Sequence, residues 1–396
     1  MSVVRIVPLF LGCAFVLAAT ACAEPSPAPP PALVDLDKKH EVHLIYFVPQ
    51  DREPTADYAE KIRVVATFVA DLYRSDLTAQ GFQTRGLDFA FVDGAPQVRL
   101  VRGQHRAQFY NGAPNYDRYL QIRTIKEEVL PVVGSFDDRV TVVFAETYDD
   151  GPSQFEWPGG MVALGGPNLP YGGFGLFSAW ILRDEFCATT VERQIELLKD
   201  ATPIEGRTAL GSGRPNSPRF EFIEDGIGAV AHEIGHALGL PHDARDQQRN
   251  IMGNGFRRLR SNYLAGQPAP RAGFSPDNAR ILAASRYLAE DVLSDDTQPP
   301  RVRFACPKQI ESGQLSVGVS VDLGEDDSVA AALIYSATHD SVVGGASLRD
   351  QTGKQAIELK LPSAEPGELK LELRVIDRGG NLAFATNKIE VVATPE

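Results

Sequence analysis

The chain has seven histidines, and three of them fall in one short run, His232-Glu233-Ile234-Gly235-His236-Ala237-Leu238-Gly239-Leu240-Pro241-His242-Asp243. On a helix turning about 100° per residue, His236 lies about 40° from His232, so both imidazoles share one face. Ile227, Val230, Ile234 and Leu238 fall at about 160° to 240° on the opposite face, which predicts that this side is buried. Glu233 sits at about 100°, beside the histidines but not between them, where a carboxylate reaches a metal-bound water better than the metal. Gly239 can take a left-handed conformation without Cβ strain and end the helix, so that the chain turns and His242 returns as a third ligand. Three neutral imidazoles around Zn²⁺ leave a fourth position for water, the open geometry of a catalytic site. The metal brings the pKa of that water near neutrality, and Glu233 is placed to take its proton.

This run resembles the zinc-binding signature of the metzincin metallopeptidases. His232 to His242 is similar to the matrixin-type motif, and Asp243 directly after the third histidine is similar to the adamalysin branch. Metzincins carry a methionine in a tight turn beneath the metal, and Asn250-Ile251-Met252-Gly253 supplies one here. The resemblance implies that Met252 is a hydrophobic floor and not a ligand. It also implies an α/β (α+β) catalytic domain with a mixed sheet and an active-site helix, one catalytic Zn²⁺, and an endopeptidase that hydrolyses protein or peptide substrates through a zinc-bound water activated by Glu233. The chain departs from the family in several places. Asn254 stands where astacins have a tyrosine ligand, no cysteine-switch prodomain is recognisable, and residues 184–222 have no counterpart. Two other readings compete: a surface binding or adhesion protein with a degenerate metalloprotease domain, which the intact Glu233 opposes, and a metal-dependent hydrolase of non-peptide substrates.

The elements that must position these residues read as alternating strands and helices. Apolar runs predict strands over 42–48, 87–92 and 140–145. Helical spacing predicts helices over 57–73, over 116–130 with Pro131 closing it, around 191–199 and over 224–238. A last helix starts after Ser275 as N-cap, with Pro276 at its first position, and runs to about 289. The glycine-rich residues 159–164 read either as a cleft-edge strand that would pair with an extended substrate or as an ordinary loop. After Gln298-Pro299-Pro300 the helical pattern stops. Leu315, Val317, Val319 and Val321 alternate with polar residues, as do Leu369, Leu371, Leu373 and Val375, which predicts a small all-β sandwich. The stretch from Val375 to Asn381 resembles the late-strand turn of bacterial immunoglobulin-like modules. The expected organisation is a leader over 1–22, a proline-rich linker over 23–37, a catalytic domain over 38–297 and an immunoglobulin-like domain over 300–396.

Arg5 and the apolar residues 6–21 form a segment of signal-peptide length, too short to span a bilayer. Export from a bacterial cell follows, either as a freely secreted protein or as a cell-envelope lipoprotein. Ala19-Thr20-Ala21-Cys22 resembles a lipobox without its usual leucine, and would attach the protein to the membrane through a lipid on Cys22. Cys187 and Cys306 remain in the mature chain, as one disulfide or as two buried thiols. A formal net charge of −13 disfavours nucleic acid as a partner. Ca²⁺ at Asp149-Asp150 or Glu325-Asp326-Asp327 has no support beyond the acidic residues, which more often form solvated turns. His40, His43, His105 and His339 lack ligand spacing.

Overall fold

The computed structural model describes residues 40–394 except 93, 113–114, 116, 150–162, 205–215, 325 and 327. The leader, the linker up to residue 37 and Cys22 lie outside the described residues, as do residues 159–162 of the glycine-rich segment.

Strand β1 (Val42–Val48) is buried along its whole length, as a run that is apolar except for His43 requires of a strand covered on both faces. A small hairpin, β2 (Phe91–Val92) with β3 (Ala95–Pro96), precedes β4 (Val98–Arg102). Strand β1 pairs in parallel with β4 and with β5 (Val140–Ala145). Of the next two strands, β6 (Ala163–Asn168) and β7 (Gly172–Ser178), β7 pairs in parallel with β5 and β6 pairs antiparallel with β7 at the edge. The sheet is therefore mixed, in the order β4-β1-β5-β7-β6. Alternate residues of β1 face two cores. Leu44, Tyr46 and Val48 pack with α1 (Tyr58–Ala79), while Ile45 and Phe47 pack with α2 (Ala107–Asn111) and α3 (Arg118–Val133). Helix α4 (Val191–Leu197) and helix α5 (Arg219–Ala237), which carries His232 and His236, join the first core. The short α6 (Arg260–Tyr263) and α7 (Pro276–Ala284) complete the set, with Ser275 capping α7 through its hydroxyl.

The structure differs from the sequence-based expectations in definable ways. Helix α1 continues to Ala79 because the apolar pattern extends through the buried Leu77. Helix α3 runs two residues past Pro131, which removes one backbone bond near the helix end without stopping the helix. The strand expected over 87–92 is mostly a crossing segment that bonds β1 through the Val42 and Ala90 amides. Its place beside β1 belongs to β4, whose polar arginines hid it. Helix α5 starts at Arg219 and α7 stops at Ala284.

From Arg303 the chain is all β, with β8 (Arg303–Ala305), β9 (Gln309–Glu311), β10 (Ser316–Asp322), β11 (Val329–Ser336), β12 (Ser341–Ser347), β13 (Lys354–Lys360), β14 (Gly367–Asp377) and β15 (Leu382–Val392). A three-stranded sheet, β13-β10-β8, faces a five-stranded one, β12-β11-β14-β15-β9. Between them lie Val317, Val319, Val321, Leu369, Leu371, Leu373 and Val375, the alternation read from the sequence. Leu315 is the exception: it precedes β10 and is 49% exposed. Strand β11 is buried on both sides. Ala332 and Ile334 face the sandwich interior, while Ala331 and Leu333, with Val342, Ile376 and Leu382, join the core that contains α5 and α7. The sandwich therefore shares a core with the α/β region. No helix among the described residues is long and apolar enough to cross a membrane.

Cys187 and Cys306 are both free, which corrects the disulfide alternative. Cys187 is buried among the residues around α1 and lies 3.7 Å from the Lys61 carbonyl oxygen. Cys306 packs against the sandwich core instead. The two thiols are thus built into different cores.

Candidate active site

Helix α5 is set down on the sheet edge by close backbone contact. A Cβ built on Gly165 in β6 would lie 2.3 Å from the Glu233 carbonyl oxygen, so only glycine lets the strand approach this far. The predicted apolar face holds: Ile227, Val230, Ile234 and Leu238 are all buried. Gly239 follows with φ 90, the left-handed turn that ends the helix. Its amide bonds the His236 carbonyl, and the Leu240 amide bonds the Gly235 carbonyl.

His232, His236 and His242 come together. One potential ligand atom from each lies within 4.8 Å of the others, and this is the one such cluster of three or more His, Cys, Asp or Glu found among the described residues. Each ring is held through Nδ1. His232 Nδ1 is 2.7 Å from the Ile251 carbonyl oxygen, and His236 Nδ1 is 2.7 Å from the Leu240 carbonyl oxygen. His242 Nδ1 is 2.8 and 3.0 Å from the two carboxylate oxygens of Asp340. A carbonyl or carboxylate oxygen only accepts, so each Nδ1 donates, and Nε2 is the ring atom left to serve as a ligand. Burial lowers the pKa of His232 to about 4 and that of His236 to about 3, with the neighbouring histidines adding to the effect. Both rings are therefore neutral at pH 7. The Nε2 atoms of His232 and His236 stand 3.1 Å apart. Two unprotonated nitrogens at that distance repel each other unless a cation lies against both. The donor set fits a divalent metal that accepts imidazole, zinc among them.

Glu233 is only 8% exposed. Burial raises its pKa to about 7, opposed by the nearby Gly165 amide and by the charge of Arg118. A carboxyl poised near neutrality can exchange protons in both directions. Met252 is fully buried, and a Cβ on Gly235 would come within 2.4 Å of its Sδ. The methionine thus fills the space directly beneath α5. Its carbonyl accepts from the Asp243 amide. The Asp243 carboxylate is buried and binds Arg245 at 2.6 Å, and Arg245 also binds Asp277 in α7 at 2.7 Å. A cavity of about 370 Å³ opens at the histidines, lined by His232, His242, Met252, Phe256, His339 and Asp340 among others. The ring of Phe256 lies 5.1 Å from that of His232.

Sequence reasoning missed Asp340, Phe256 and Arg118. Asp340 stands 98 residues from His242, in the turn between two strands, and no local pattern marks it. Of the acidic pairs considered for Ca²⁺, Asp149 accepts from Asn111 and Asp326 from Ser328, as ordinary turn and side-chain bonds. The remaining acids, Asp150, Glu325 and Asp327, lie outside the described residues.

No curated protein matches the sequence. Residues 139–309 match a family model described as "Metallopep: Putative peptidase family", and this segment contains the three histidines, Glu233 and Met252. Among solved structures, a catalytically inactive OgpA from Akkermansia muciniphila in complex with an O-glycopeptide (glycodrosocin) substrate is similar with a TM-score of 0.59 at 15% identity, covering 90% of this chain and 97% of that one. Wild-type OgpA gives TM-scores of 0.57 and 0.56 in two crystal forms, at 16% and 17% identity, covering 90% and 92% of this chain and 98% and 97% of theirs. The chain shares the fold of OgpA over 90% of its length, and the segment that carries His232, His236 and His242 matches a peptidase family model.

Proposed function

We propose that this protein is an exported zinc-dependent endopeptidase, with His232, His236 and His242 as metal ligands and Glu233 as general base. The observation that carries this reading is the commitment of all three Nδ1 atoms to acceptors, which leaves the three Nε2 atoms as clustered ligand positions, with the buried Glu233 next to His232 on the same helix. The peptidase-family match over the same residues supports the reaction class. Bound zinc would supply Lewis acidity toward water and toward the scissile carbonyl. Glu233 takes the proton from the attacking water and delivers it to the leaving amine, a cycle that a pKa of about 7 suits. Edge strand β6 offers unpaired backbone groups beside Glu233, where an extended peptide could add as a further strand. Met252 and Phe256 give the ligand helix a firm apolar support.

The test is cleavage of a mixed peptide library by the purified protein, read by mass spectrometry. An O-glycopeptide belongs in the panel, because OgpA was crystallised with one. Cleavage should stop with a chelator, return with zinc and be lost in Glu233→Gln. Cleavage insensitive to the chelator, or none of any peptide, would refute the reading. For export, a lipid on Cys22 predicts membrane fractionation that Cys22→Ser abolishes. Wholly soluble wild-type protein would exclude the anchor.

A further inference from the structure

The two ligands on α5 take their orientation from the peptide segments that follow the helix. His232 bonds the carbonyl of Ile251 and His236 that of Leu240. His242 does not. Its ring is 42% exposed and its Nδ1 partner is Asp340, in the turn between β11 and β12 of the C-terminal sandwich. Asp340 is itself fixed there. It has φ 49, a left-handed conformation that aspartate tolerates, and its Oδ1 accepts from the Tyr335 hydroxyl at 2.6 Å.

The same hairpin and its neighbour in the sheet grip the whole turn that carries His242. The Val342 amide donates to the His242 carbonyl at 3.0 Å. The Ala244 amide donates to Ser341 Oγ at 2.8 Å. Arg374 in β14 donates from Nη1 to the Gly239 carbonyl at 2.6 Å. Residues 239 to 244 are thus held by four hydrogen-bonding groups of the sandwich.

We infer that the C-terminal all-β region builds part of the metal centre, with Asp340 as the positioning residue of His242. The carboxylate fixes the His242 tautomer, aims Nε2 at the other two imidazoles and raises the basicity of the ring. The inference rests on the reading of the three histidines as zinc ligands. It gives the sandwich a role in the site that a detachable binding module would not have.

The experiment uses the full mature chain. Zinc affinity is measured by competition with a chromophoric chelator for the wild type, Asp340→Ala, Asp340→Asn, Tyr335→Phe and His232→Ala. Asp340→Ala should lose about 10- to 100-fold in affinity, the usual effect of removing a partner of a metal-bound histidine. Asp340→Asn should lose less, since its amide oxygen still accepts from Nδ1–H, and Tyr335→Phe less again. Because the Asp340 side chain is 65% exposed, the melting temperature of the metal-free variants should match that of the wild type. The visible d–d bands of the cobalt(II)-loaded Asp340→Ala protein should shift, which a purely structural role would not cause. Wild-type affinity and an unchanged cobalt spectrum in Asp340→Ala, with zinc lost in His232→Ala, would overturn this inference and leave the three-histidine reading standing. A wild type that binds zinc no better than His232→Ala would overturn both.

Discussion

Gly165 and Glu233 meet through their backbones, with 2.3 Å between the Glu233 carbonyl oxygen and the place a Cβ on Gly165 would occupy. The Gly165 amide also lies near the Glu233 carboxylate and holds its pKa down against burial. One residue therefore sets both the distance of the edge strand and the acidity of the base. Gly165→Ala should push β6 off the helix, at a stability cost of about 1–3 kcal/mol, the range for overpacking a close contact. Without the amide, the acid limb of the peptidase pH profile should move to higher pH and activity should fall at least about tenfold, given the 10²–10⁴ range of a positioned base. Thermal melts and pH–rate curves check this together. A variant with unchanged melting and profile would show that the contact is slack.

The two free cysteines make a chemical prediction. Burial raises the Cys187 thiol to about 12 and the Cys306 thiol to about 11. The thiolate is the reactive form, so both should alkylate slowly at pH 8 in the native protein, and Cys187 hardly at all. Unfolding without reductant should expose two alkylatable thiols. Peptides linked through Cys187 and Cys306 in a non-reducing digest would contradict the separate burial seen here.

The pattern in the sequence that carried furthest was the one written locally. The helical spacing of His232 and His236, the apolar stripe behind them and the turn at Gly239 each depend on residues a few positions apart, and all are found as read. The alternation of β10 and β14 was legible for the same reason. What stayed hidden depends on distant parts of the chain. Strand β4, Val98-Arg99-Leu100-Val101-Arg102, shows no clean period-two alternation and looks like surface until its pairing with β1 is known. Strand β7, Gly172–Ser178, reads as a glycine-rich loop because its glycines make room for other backbone, as at Gly173, where a Cβ would lie 2.1 Å from the Ala237 carbonyl oxygen. Asp340 belongs to an ordinary hairpin turn until tertiary packing brings it to His242. The double burial of β11 could not be foreseen for the same reason, since its second face is covered by the α/β region.

Glu224, two turns before the ligands on α5, carries a stability signature. Burial raises its pKa to about 8, although the Arg260 amide and guanidinium oppose the shift. Its folded-state pKa lies above the unfolded value of about 4.3, so the native state binds the extra proton between the two. Its contribution to stability is full below about pH 4.3 and is lost as pH rises through about 8, at up to about 1.4 kcal/mol per pH unit. Glu224→Gln should flatten this slope and melt above the wild type at pH 8–9. Melting curves from pH 5 to pH 9 check it, and parallel slopes for the two proteins would rule out Glu224 as the source.

The sharpest prediction separates holding a metal from doing chemistry at Glu233. Its carboxyl is not among the clustered ligand atoms, and its place on the helix lies off the azimuth shared by His232 and His236. Glu233→Gln preserves the shape and the capacity to accept from the Gly165 amide, so folding and zinc content should stay close to wild type. The amide cannot take a proton from water or pass one to the leaving amine. A positioned general acid–base contributes about 10²–10⁴-fold, so kcat should fall by at least that range while KM changes little. The pH profile offers an independent check. Activity should rise with pH as the coupled Glu233–water–metal unit ionises, and this limb should vanish from any activity the variant retains. A Glu233→Gln protein that keeps its zinc and loses less than about tenfold in kcat would require another residue to be the base, since that loss is below what a positioned base supplies.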